Sequence, residues 1–135
     1  MDYLESAFGE FSAGDVDAAV RFALDAILAA ERFDRLGELI TEFADLGEMG
    51  GEPGWVLERR DVGEAGNMPG YARWPAWARF RAFVDPTGFQ LGHPEFYMDK
   101  PTFERYLSAA MRAYVELNPE KADSLPAALR KVIPV

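Results

Sequence analysis

The sequence predicts a mainly α fold: one compact domain over residues 1–135, built from five or six helices. Three stretches carry that expectation. Residues 16–30 are rich in Ala, Leu and Phe with no Gly or Pro, the composition of an uninterrupted helix. Residues 33–46 place Leu36, Leu39, Ile40, Phe43 and Leu46 at i, i+3, i+4, i+7 and i+10, a stripe of helical period. Residues 101–117 do the same with Phe103, Tyr106, Leu107, Ala110, Met111 and Tyr114. A short β element fits between Trp55 and Gly70 or at residues 89–91, and a mixed α+β fold is the alternative.

An amphipathic run over residues 2–11, weakened by Gly9, opens the chain. Asp15 follows a break at 12–14 and is suited to cap the next helix, because its carboxylate can accept the first free backbone N–H groups. In 16–30 the only charges are Asp17, Arg21 and Asp25, spaced i, i+4, i+8. One narrow polar stripe on an apolar cylinder predicts a central helix. Asp34 is the candidate cap of 33–46, and the tight turn between the two helices predicts an acidic αα-hairpin over 15–46. The Gly- and Pro-rich stretches 47–54 and 61–70 read as loops. Residues 75–84 read as a helix, with Pro75 at its first position and Ala76, Trp77, Phe80, Phe83 and Val84 on its apolar face. Asp85-Pro86-Thr87-Gly88 then carries type I turn chemistry, and Gly92-His93-Pro94 is a further turn. Asp99 or Lys100 precedes the helix at 101–117, and Asn118-Pro119 stops it. Ser124 is placed to cap a last short helix through Val132, so the aromatic-rich middle and the C-terminal helices fill 55–132.

Charge is the informative asymmetry. Residues 1–52 hold 13 acidic residues against three basic ones, a net charge of −10, while the whole chain carries −9. A sequence pI near 4.6 argues against nucleic acid and anionic membrane as partners, since both require a basic surface. Without cysteine there is no disulfide scaffold, thiol nucleophile or cysteine zinc site. His93 is the only histidine, no nucleophile elbow surrounds Ser6, Ser12, Ser108 or Ser124, and the glycine-rich segments match neither a P-loop nor a dinucleotide fingerprint. The expectation is therefore a non-enzyme with no cofactor and no metal. No apolar run is long enough to span a bilayer and the first residues lack the pattern of a secretory signal, so a cytoplasmic protein is expected.

The acids of 33–46 are ordered. Asp34, Glu38, Glu42 and Asp45 follow i, i+4, i+8 and i+11, and on a continuous helix they share an arc roughly 80° wide at about 100° per residue. Glu31 joins the arc if the helix extends back to it. Like charges at i, i+4 each cost roughly 0.2–0.5 kcal/mol, and only Arg35 lies near enough to relieve them. A basic protein partner would supply the missing counter-charge and be steered toward it. Glu31, Asp34, Glu38, Glu42 and Asp45 are the candidate partner-binding residues; the competing reading is a solvated face that serves solubility.

All three Trp (Trp55, Trp74, Trp77) lie in a middle segment interleaved with Arg59, Arg60, Arg73, Arg79 and Arg81. The favoured reading is a core with arginines at its rim, paired with acids of the first two helices. The other is a ligand-binding or self-associating surface. In size, acidity and lack of catalytic motifs the whole chain resembles the immunity proteins of bacterial toxin–immunity systems such as contact-dependent growth inhibition. That resemblance implies an inhibitor bound to a cationic toxin domain, a nuclease among them, with the acidic ridge docked where substrate phosphates bind. The alternative function is a helical ligand-binding or self-associating domain that uses the aromatic-rich middle.

Overall fold

In the computed structural model, which describes residues 3–133, alternation rather than helical period governs the middle of the chain. Phe80, Ala82 and Val84 are buried and Arg81 and Phe83 half-buried, the pattern of a strand with one face on a core. The architecture is α+β, not mainly α. In order, α1 (Tyr3–Phe8), α2 (Ala18–Ala29) and α3 (Phe33–Leu39) precede four strands, β1 (Glu48–Gly51), β2 (Trp55–Arg59), β3 (Phe80–Val84) and β4 (Glu95–Met98), followed by α4 (Lys100–Leu117) and α5 (Ala127–Arg130). The strands form one antiparallel sheet in the order β1-β2-β3-β4. Register is set by Met49 opposite Leu57, Leu57 opposite Ala82, and Phe80 opposite Met98.

The helix expected at 75–84 is thus half loop and half strand. Over five residues, apolar positions at 80, 83 and 84 satisfy a helical template, while 80, 82 and 84 satisfy a strand equally well. Pairing with β2 on one side and β4 on the other decides between them. The short extended piece expected at 89–91 is irregular chain after the turn at 86–88, and the strand lies four residues further on, at Glu95–Met98.

One sheet face packs on helices. Trp55, Leu57, Phe80, Ala82, Val84 and Met98 join Ala19, Ala23, Leu24 and Ile27 of α2 and Phe103, Leu107 and Met111 of α4 in a single core. Phe80 and Phe103 stack with ring centroids 4.1 Å apart, tying β3 to α4, while Phe33 meets Tyr114 edge-on at 4.7 Å and ties α3 to α4. The opposite face is crossed by the β2–β3 connection, which carries two short 3₁₀ helices, Gly63–Asn67 and Pro69–Tyr71. There Arg81 bridges Glu58 and Glu95 across three strands, and the long β2–β3 connection lays Trp74 against Tyr97.

α2 is central, and the middle residue of its polar stripe, Arg21, is buried. Arg21 is 4% exposed, donates to the Gly9 carbonyl at 2.7 Å and to Asp15 at 3.3 Å, and lies over the rings of Phe8 and Phe11. Asp17 accepts from the Tyr106 hydroxyl of α4 at 2.6 Å. Asp15 does not cap α2; Asp17 holds that position without a side-chain bond, and the Asp15 carboxylate accepts from Ser12 N–H. α4 matches its expected span, with Asp99 capping it by accepting from Thr102 N–H at 2.9 Å. Ser124 closes a 3₁₀ turn, and α5 begins only at Ala127. Of the opening run, Asp2 lies outside the described residues.

Candidate protein-binding surface

α3 is seven residues long, so the continuous helical ridge expected over 31–45 does not exist as one arc. The helix closes where Thr41 turns its hydroxyl onto the Gly37 carbonyl at 2.8 Å and the chain leaves the α conformation. What ends it is distant in sequence. Arg59 sits on the core-facing side of β2, 4% exposed, and its guanidinium collects the carbonyls of the turn. Nη1 donates to Leu39 at 2.6 Å and to Glu38 and Leu46 at 3.1 Å each, while Nη2 donates to Ala44 at 2.7 Å. Asp61 completes the cluster, accepting from Nε at 2.8 Å through Oδ1 and from Nη2 at 3.4 Å through Oδ2. A single buried cation thereby satisfies carbonyls that the helix end leaves open and keeps its own counter-ion.

The turn so held presents one side chain outward. Phe43 is 61% exposed, and its backbone has a φ of 66°. For a residue with a Cβ this left-handed conformation costs roughly 1–2 kcal/mol. It persists because Phe43 N–H donates to Asp61 Oδ1 at 3.1 Å and Ala44 N–H to the Thr41 carbonyl at 3.1 Å, with Arg59 holding the carbonyls on either side. Val62, 45% exposed, follows Asp61 directly and adds apolar surface. Beside Val62 a cleft of about 160 Å³ opens, lined by Ile40, Glu42 and Phe80 and by the basic side chains of Arg60, Arg79 and Lys100 among others.

Of the five candidate acids, four lie on α3 and the turn after it. Asp34 and Glu38 are exposed on α3, and Glu42 and Asp45 are exposed on the turn. Asp34 lies in the first turn of α3 and is not its cap, a position held by Arg32. Glu38 accepts from Leu46 N–H at 3.1 Å and lines a shallow depression with Arg35, Asp45 and Leu46. None of these four forms an ion pair with another described residue. Glu31 stands apart. It has a φ of 51°, accepts from the Tyr114 hydroxyl and pairs with Lys121 at 2.8 Å. The Lys121 hydrogen bond, then that of Tyr114, holds its carboxyl below the usual range.

The arginines of the middle segment take other partners than expected. Arg60 donates to the carbonyls of Gly66 and Pro75, Arg79 to those of Ala76 and Ala78, and Arg81 to Glu58 and Glu95. Trp55 and Trp74 are buried, whereas Trp77 is 58% exposed on the β2–β3 connection. His93 is exposed in a turn. Among the described residues no three His, Cys, Asp or Glu are placed to hold a metal ion, and no helix is long and apolar enough to cross a membrane.

Sequence reasoning passed over two residues at this surface. Arg59 leaves a visible signal: it follows Trp55 and Leu57 at period two, a charge at a core-facing position, which a buried partner set must explain. Phe43 leaves none, since its spacing fits the core stripe of a helix that stops short of it. Comparison of the chain with protein-family models, with curated proteins and with solved structures gives no match.

Proposed function

We propose that the chain is a protein-binding inhibitor that docks on a basic protein through the acidic surface of α3 and the turn after it, in the manner of an immunity protein that neutralises a cationic toxin domain in the cytoplasm. The observation that carries this reading is the set of four exposed carboxylates, Asp34, Glu38, Glu42 and Asp45, which form no ion pair among the described residues. Concentrated unpaired charge on a rigid element raises the on-rate for an oppositely charged partner and gives little to the fold. A nuclease is the kind of enzyme such a surface would block, since its phosphate-binding site is cationic.

Glu31 is left out of the docking set because Lys121 and Tyr114 already engage its carboxylate. The test is a double charge reversal, Glu42→Lys with Asp45→Lys, chosen because Glu38 also holds Leu46 N–H. Association with the partner recovered from the source cell is measured by surface plasmon resonance at several salt concentrations. The on-rate should fall by about tenfold or more and lose most of its salt dependence. An unchanged on-rate and affinity in a folded double variant defeats the reading.

A further inference from the structure

The structure assigns Phe43 as the apolar anchor of this docking surface: a ring, with Val62 beside it, that enters a pocket on the partner bordered by Lys or Arg side chains. The inference deepens the inhibitor reading and rests on it for the identity of the partner. Its own footing is the conformation of residues 38–46. A chain that needed only a turn here would place Gly or Asn at a φ of 66°, and a chain that needed Phe43 for its core would bury it. This chain does neither. It spends a buried guanidinium and a carboxylate on holding the ring in solvent, with Arg59 on the carbonyls of Leu39 and Ala44 and Asp61 on the N–H of Phe43 itself.

The backbone that carries the ring is already held before contact, so association loses little loop freedom. Rigid aromatic residues within a ring of polar groups are the usual carriers of interface affinity. The surroundings state the chemistry of the complement. Glu42 is adjacent in sequence, Asp45 two residues on, and Asp45 lines a shallow depression with Glu38, Arg35 and Leu46. An apolar pocket with a cationic rim matches both the ring and its neighbours; an apolar pocket with an acidic rim would meet Glu42 and Asp45, which pair with no other described residue.

Two measurements on the full chain test the assignment. The first needs no partner. Phe43→Asn, which tolerates the left-handed conformation, should leave the thermal midpoint unchanged or raise it by a few degrees; a fall of several degrees would show that the ring serves the fold. The second places the photo-crosslinker p-benzoylphenylalanine at position 43, and separately at the equally exposed Val16, in the source cell. A protein adduct specific to position 43, joined at an apolar residue flanked by Lys or Arg, is expected. An adduct absent at 43, shared with 16, or joined at a site without cationic neighbours overturns the proposal.

With that partner purified, Phe43→Asn should raise the dissociation rate by about 30-fold while leaving the salt dependence of association intact. Inhibition lost on charge reversal but undiminished in Phe43→Asn leaves the inhibitor reading standing and defeats the anchor. A position-43 adduct with a basic protein whose activity is untouched does the reverse.

Discussion

Replacing Arg59 with Met removes the group on which the 38–46 turn depends and keeps most of its volume. Six hydrogen bonds are lost, four to backbone carbonyls and two to Asp61. Each bond to a charged group contributes about 1.5–3 kcal/mol net, but the six do not add, because an opened turn lets water reach the carbonyls. Removing one partner of a buried ion pair costs about 3–5 kcal/mol. The Asp61 side chain, 16% exposed, regains part of its hydration, which sets the expectation near the lower end, about 3 kcal/mol. Against a total stability of about 5–15 kcal/mol that is a large loss. With a urea m-value of about 2 kcal/mol/M it moves the midpoint down by about 1.5 M. Arg59→Lys keeps the charge with three donors in place of five, and should fall between the two. Urea unfolding followed by circular dichroism gives the midpoints, and amide exchange at Phe43 and Leu46 reports the turn directly. A midpoint within about 0.3 M of the parent, at the same m-value, would refute the claim that Arg59 builds this turn.

Other outcomes follow from the packing of α4 and the loops. The Tyr114 phenol is pushed up to about 12 by burial and by the Glu31 carboxylate that accepts its hydrogen bond. Its folded pKa lies above the unfolded value of 10.0, so its contribution is complete below pH 10 and drains away between pH 10 and about 12; Tyr114→Phe should remove a late step in titration at 295 nm and flatten alkaline unfolding in that window. Glu31 has the opposite sign. Its pKa is depressed, so its contribution is present above about pH 4.5 and is lost as pH falls through the lowered value, and Lys121→Met should reduce that acid-side slope in unfolding curves taken from pH 6 to 2. At Gly88 a Cβ would stand 1.7 Å from the Pro53 carbonyl oxygen, so Gly88→Ala must part the β1–β2 turn from the β3–β4 loop; a loss of at least about 2 kcal/mol is expected in urea unfolding.

How much of this fold the sequence displays depends on how local its causes are. α4 is legible from end to end because its stripe, its cap and its stop all lie within residues 99–119. α2 is legible from its composition, though not its cap, and the charges at 17 and 21 locate its contacts with α4 and with the chain end of α1. The sheet is not, since β1, β3 and β4 are four or five residues long and their periods are resolved only by partners in other strands. The candidate site falls between these cases. The acids at 34, 38, 42 and 45 are visible, but the helix drawn through them is cut at Leu39 by an arginine 20 residues downstream. Glu31 is reassigned by two groups of the C-terminal part, Tyr114 and Lys121, which no pattern near position 31 announces.

Each strand pairs with its neighbour in sequence, so the sheet is a plain meander, and only the β2–β3 connection over 60–79 is long. In polymer terms that segment is a tether, and doubling a tether costs only about 0.6 kcal/mol in closure entropy. It crosses the side of the sheet away from α2 and α4, whereas Leu39, Ala44 and Leu46 are clamped to Arg59 at the end of β2. Past Asp61 and Val62, which belong to the held turn and its surface, length can therefore drift in the tether while the turn carrying Phe43 keeps its shape, which separates the part of the molecule free to diversify from the part whose geometry is fixed.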